Sequence, residues 1–243
     1  MSRVSKPARE EIFEKIRSAL KRDDKRDPPR VAKEPESNAP EVSRRITDAK
    51  QPSREELIKQ FELELTRVGG HFYHALSASQ ACDYVESLAS ERRARSAVSW
   101  DAPVIDEIGL PGRLERAGVQ VTSDDRHLTD EEFIGEAIHA GLGITGVDYA
   151  LADTGTLVLL AGEGRARAAS LVAPVHVAIL KPQQIIPGLN DLIPLVNEKA
   201  AREGRELASA VTFITGPSRT ADIELTLVVG VHGPQVLHVI LLV

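Results

Sequence analysis

The stretches VHVAIL (175–180) and VLHVILLV (236–243) are apolar at nearly every position, not at alternate ones. A strand of that kind has no face to give to water, so it belongs in a sheet covered on both sides. ITGVDYALADTGTLVLLAG adds two β-like runs around Asp-Thr-Gly-Thr, and VTFIT (211–215) and LTLVVG add two more. One helix, about 188–202, is expected among them. Upstream, helices and strands alternate. The pattern predicts an α/β protein, a three-layer α/β/α sandwich around a mostly parallel sheet.

The upstream elements carry their own punctuation. Ser53 followed by Glu56 is a capping box and opens a helix over 54–67, which Gly69-Gly70 ends. HFYHA (71–75) and SAVSW (96–100) read as strands. Ser77 or Ser79 caps the helix between them. A short helix near 111–117 leads through Gly118 to the strand VQVT. Thr129 with Glu132 opens another helix, running to about Ala140. Before all of this, residues 8–20 place Ile12, Phe13, Ile16 and Leu20 on one stripe, so 1–22 is expected to hold a short amphipathic helix. KRDDKRDPPRVAKEPESNAPEVSRR is charged and proline-rich, which makes 23–52 a polar linker and leaves 53–243 as the folded domain.

Totals exclude several function classes. The only cysteine is Cys82, so this chain's thiolates hold neither a disulfide framework nor an iron–sulfur cluster. A net charge of −6 and 4% aromatic residues argue against nucleic acid as a partner. No apolar run approaches the ~18 residues of a membrane span. The first residues contain no apolar signal core, and a reducing, cytoplasmic setting fits. HFYH sends its two imidazoles to opposite faces of a strand, and no His-Glu-x-x-His cluster occurs, so no intrinsic metal site is expected. GLGITG (141–146) has glycines at dinucleotide-site spacing, but it follows a helix and precedes a strand, the reverse of what that site requires.

Several places attract a functional reading. In ALADTGTLVLL, a tight turn accounts for Gly155. The sharper alternative is an anion cradle of backbone N–H groups with Thr154 and Thr156, and Asp153 as acid or base. In GRARAASLVAPVHVAIL, Arg165 and Arg167 sit in a Gly-rich loop where arginines are usually solvated; the sharper reading is a clamp for a carboxylate or phosphate, with Arg167 the candidate. His176 is a candidate base, although a lone strand histidine is more often structural. VTFIT stops at Gly216-Pro217-Ser218, a turn that exposes backbone donors beside Arg219. Applied to that strand, the rule that ligands sit beyond carboxyl ends makes Gly216, Ser218 and Arg219 ligand-binding candidates. As a strand, the next segment puts Asp222, Glu224 and Thr226 on one face; as a helix start, the two acids diverge. His232 lies in a second tight turn.

ITGVDYALADTGTLVLL, SLVAPVHVAIL and TGPSRTADIELTLVVGVHGPQVLHVILL, in that order and spacing, resemble the LUD domain family of lactate-utilisation proteins. The likeness covers most of the chain and is densest over 140–243. Many members have Glu-Thr-Gly-Thr where this chain has Asp153-Thr-Gly-Thr, which keeps the carboxylate and shortens its reach. The resemblance implies a NagB/RpiA/CoA-transferase-like fold. It also implies a part in oxidising L-lactate to pyruvate alongside iron–sulfur proteins, with any clusters carried by those partners and no cofactor intrinsic to this chain. The leading expectation is a non-redox subunit binding a small anionic metabolite, with His176, His232, Asp153 and Glu224 as catalytic candidates. Thr154, Gly155, Thr156, Arg167, Gly216, Ser218, Arg219 and Asp222 would be its ligand-binding residues. The alternatives are a stand-alone acyl- or phosphoryl-type enzyme and an assembly or regulatory module.

Overall fold

A computed structural model describes Lys15 and residues 52–124, 128–203, 210–221 and 227–243. By backbone contacts the chain divides into Met1–Gln51 and Pro52–Val243. The helix and linker expected over 1–52 therefore lie outside the described residues, Lys15 and Pro52 apart.

The second unit begins where its capping chemistry says it should. Ser53 N donates to Glu56 Oε2 at 2.7 Å and Glu56 N donates to Ser53 Oγ at 3.2 Å, opening α1 (Arg54–Arg67). Its Leu57, Phe61 and Leu65 recur every fourth residue and are all buried. Gly69, at φ +89°, then turns the chain into β1 (His71–Ala75). Ser77 caps α2 (Ala78–Arg92), which leads to β2 (Ser96–Trp100). Two short helices, α3 (Pro103–Glu107) and α4 (Leu110–Arg116), precede β3 (Gln120–Asp124). The Thr129–Glu132 box opens α5 (Asp130–His139), and β4 (Leu142–Gly146) follows.

β5 (Tyr149–Leu151) and β6 (Thr156–Leu160) form the hairpin around Asp-Thr-Gly-Thr. Then come α6 (Ala168–Leu171), β7 (Val175–Leu180), β8 (Ile185–Ile186) and α7 (Leu189–Glu203). The chain finishes with β9 (Val211–Ile214), β10 (Arg219–Ala221), β11 (Leu227–Val229) and β12 (Val236–Leu242).

The main sheet has six strands in the order β1-β12-β7-β4-β2-β3, and every pairing in it is parallel. The continuous apolar strands occupy its middle, and every residue of β4 and β7 is buried. Helices cover both faces. On one, Phe61 of α1 meets Phe72 edge-on with ring centroids 5.8 Å apart. On the other, the Tyr84 hydroxyl of α2 lies 2.9 Å from His238 Nδ1. GLGITG is largely β4 itself, and its Gly143 serves packing: a Cβ there would run into the carbonyl of Ala169 in α6.

A second sheet, β8-β5-β6-β9, is antiparallel except for β5–β8. Leu192 of α7 packs into its own small core with Leu151, Val158, Leu160 and Ile186. β10 and β11 form a separate antiparallel ribbon. This corrects one expectation. VTFIT ends in the second sheet, antiparallel to β6, so the rule about the carboxyl ends of parallel strands does not apply to the turn after it. The rule applies in the main sheet. There, β2 and β4 are neighbours, but the chain leaves β2 for β3 on one side and leaves β4 for β7 on the other. Connections that diverge in this way open a crevice at the carboxyl ends of the two strands.

Candidate functional site

A cavity of about 290 Å³ lies at that crevice. Trp100, the last residue of β2, and Gly146, the last of β4, form part of its wall. Ala102, Pro103 and Val104 enter from the start of α3, and Val147 and Asp148 from the segment after β4. Lys181 follows β7, Lys199 comes from α7, Glu107 from the end of α3, and Gln183 and Gln184 from the turn before β8. The volume is at the lower limit of the ~300–1,000 Å³ usual for small-molecule sites, so a small metabolite fits the space better than a large cofactor.

Arg165 is delivered by a loop fastened to the ends of two strands. Asp101 N donates to Gly164 O at 2.9 Å, and Trp100 Nε1 donates to Ala166 O at 2.9 Å. Ala166 N donates to Asp124 Oδ2 at 2.5 Å, at the end of β3. Gly164, at φ +71°, supplies the left-handed bend the loop needs. Held this way, the Arg165 guanidinium lies 5.7 Å from the centre of the Trp100 ring, a cation–π distance.

Asp148 is the charged residue set deepest in this wall, its side chain 2% exposed. Oδ2 accepts from Leu160 N at 2.8 Å. Oδ1 accepts from Arg165 Nη1 at 2.9 Å and from Lys199 Nζ at 2.6 Å. A buried carboxylate needs such partners, and here two are cations. At the rim, Lys181 Nζ pairs with Glu107 Oε2 at 2.5 Å. The Gln184 side chain is fixed from both ends, donating to Val147 O and accepting from Lys181 N. The result is a pocket with one indole wall, a few aliphatic groups and a small set of convergent, pre-positioned charges.

Of the residues weighed from the sequence, Arg165 lines this cavity, and none of the other described candidates does. His176 is sealed in β7, with Nε2 2.9 Å from Thr145 Oγ1 and Nδ1 without a partner among the described residues. Burial pushes its pKa down to about 3, so it is a neutral core imidazole. The Asp-Thr-Gly-Thr turn packs along α1. Gly155, at φ +64°, presses on the backbone of that helix, where a Cβ would come within 2.6 Å of Glu64 C. Thr154 is exposed, with its hydroxyl 3.2 Å from Asp153 Oδ1. Thr156 Oγ1 is 2.7 Å from Thr215 Oγ1. Asp153 sits against Gly188, immediately before α7, where a carboxylate complements a helix N-terminus.

The 216–219 loop also reaches α1. A Cβ on Gly216, at φ +85°, would lie 2.6 Å from Val68 O, and the Arg219 guanidinium lies over Gly69. Ser218 exchanges backbone hydrogen bonds with the turn that holds His232: Ser218 N donates to Pro234 O and Gly230 N donates to Ser218 O, both at 2.9 Å. That turn precedes β12, at the amino edge of the main sheet, so Ser218 and His232 are neighbours far from the cavity at the carboxyl edge. Arg167 is exposed at the start of α6. Asp222 and Glu224 lie outside the described residues. Structure thus brings the Thr156, Gly216, Ser218 and His232 segments near one another around the end of α1 and the amino edge, while the His176 side chain is enclosed within the sheet.

Sequence reasoning passed over Asp148, Lys181, Lys199, Glu107 and Trp100. The available signal was positional: Trp100 ends one parallel strand, and Asp148 lies two residues beyond another. Among the described residues no group of three or more His, Cys, Asp or Glu is arranged to hold a metal ion. No described helix is long and apolar enough to cross a membrane. Cys82 is buried, its thiol directed at Ile108 O at 3.3 Å and its pKa raised by burial.

The model of the LUD domain matches residues 58–242, which span both sheets and every wall of the cavity. The chain belongs to the LUD domain family. Among proteins similar to this LUD domain is the lactate utilization protein C of Halalkalibacterium halodurans, 39% identical over 150 residues. That alignment takes in 62% of this chain and 64% of the relative, a little under two thirds of its length. Lactate utilization protein C of Geobacillus sp. WCH70 is 33% identical over 187 residues, or 75% of this chain and 76% of the relative. Of solved structures, the LUD domain is similar to a DUF162 family protein from Deinococcus radiodurans. The TM-score is 0.55 at 26% identity, covering 79% of this chain and 99% of the other.

Proposed function

We propose that this LUD protein serves lactate utilisation as a non-redox component, binding a small carboxylate in the cavity at the carboxyl ends of β2 and β4. One observation carries the reading: at the switch point of the parallel sheet, three cations meet two carboxylates beside an indole wall. A small organic acid needs just such a charged end and apolar side. Relatives named lactate utilization protein C supply the metabolic setting. With Cys82 as its only cysteine, the chain has no thiolate set for an iron–sulfur cluster. The electrons of lactate oxidation then pass to partner proteins that carry such clusters. A cytoplasmic location, a 53–243 LUD-type domain behind an N-terminal helix and linker, and a place in the NagB/RpiA/CoA-transferase-like group belong to the same proposal.

The test is genetic and biochemical. Removing the gene from a host that grows on lactate should stop growth on lactate, and extracts should lose lactate-dependent electron transfer. Adding back the purified chain with the iron–sulfur partners should restore it, and the Arg165→Met variant should not. Normal growth and normal oxidation in the deletion strain would end this reading.

A further inference from the structure

The charges around the cavity specify more than an anion, on the assumption that the carboxylate reading above holds. Lys181 and Glu107 neutralise each other at the rim. Arg165 and Lys199 share one acid, and both reach the same oxygen of Asp148. Among the described lining residues the surplus is one positive charge. Both shared cations remain partly open, with side chains 30% and 29% exposed, while Asp148 is 2% exposed. A ligand meets the guanidinium and the ammonium from the open side, and Asp148 stays behind them.

We infer that Asp148 sets the charge class of the ligand, so that the cavity selects a short monocarboxylate and rejects dianions. The ligand's carboxylate bridges Arg165 and Lys199 and uses up the single surplus charge. Its short alkyl end lies on Trp100, Pro103 and Val104. A second negative group on the ligand finds no unspent cation among the described lining residues, and it faces the indole wall or the Glu107 carboxylate. Asp148 is a specificity-determining residue that acts through the two cations and need not touch the ligand.

Calorimetric titration of the full chain tests this with pyruvate, L-lactate and propionate against malonate and oxalate. The wild type should bind the monocarboxylates at least about tenfold more tightly than the dicarboxylates. Asp148→Asn keeps an acceptor for Leu160 N–H and raises the surplus to two, so the preference should disappear or reverse in favour of malonate. Lys199→Gln, on α7, removes the surplus and should weaken monocarboxylate binding about tenfold; it provides a second reading should Asp148→Asn not fold. Equal binding of mono- and dicarboxylates by the wild type, or an unchanged preference in Asp148→Asn, overturns the inference and leaves the carboxylate reading standing. If the wild type binds none of the acids at millimolar concentration, the carboxylate reading falls and this inference with it.

Discussion

His176 illustrates how one residue type divides between chemistry and architecture. Its ring is fully enclosed, one nitrogen meets Thr145, and burial holds the pKa near 3. His238, facing the other side of the sheet, is pushed down to about 4, by burial first and then by His71 and Arg92. Both imidazoles take up protons more readily in the unfolded chain. Stability is therefore complete above pH ~6.5 and is lost as the pH falls from there toward 4 and then 3. His176 alone should cost about 2 kcal/mol between pH 6.5 and 5. Urea unfolding of the wild type and His176→Gln checks it. The variant should be less stable at pH 7.5 yet lose about 2 kcal/mol less on acidification to pH 5. Two curves of equal slope would mean that His176 takes up its proton without unfolding. Thr145→Val, which strands Nε2 as Nδ1 is already stranded, should cost about 1–3 kcal/mol at neutral pH.

At the level of elements, the turn between β5 and β6 joins two layers. Gly155 is what lets it close upon α1, because the positive φ and the close backbone both exclude a side chain. Gly155→Ala should destabilise by more than about 1 kcal/mol from the dihedral alone, with the displacement of α1 added. Gly135 is the contrast: it is exposed within α5, and a Cβ would meet nothing within 4 Å. Gly135→Ala should stabilise by about 0.5–1 kcal/mol. Thermal unfolding of the two variants should therefore shift in opposite directions. Such elements were legible because their signals are local. Ser53 with Glu56, Ser77, and Thr129 with Glu132 cap the helices they were expected to cap. VHVAIL and VLHVILL lie in the doubly covered interior that their composition demanded. The register of β9 was not legible, since nothing within VTFIT distinguishes an antiparallel neighbour from a parallel one.

On the scale of the whole molecule, the cavity depends on strand order, which no short stretch encodes. Asp148 looks ordinary in GVDYA. It becomes the organising charge only when Arg165, 17 residues away, and Lys199, 51 residues away, are folded onto it. The sheet order has a second consequence. β12, last of the six parallel strands along the chain, is inserted between β1 and β7, so that His71 pairs with His238. A ribosome that has released β1 through β7 has produced two strand borders with no neighbour, each awaiting a segment still to be translated. Closing so distant a pairing is entropically slow. Nascent chains arrested before Val236 should therefore be sticky and protease-sensitive, and acquire resistance in one late step once that strand slots home.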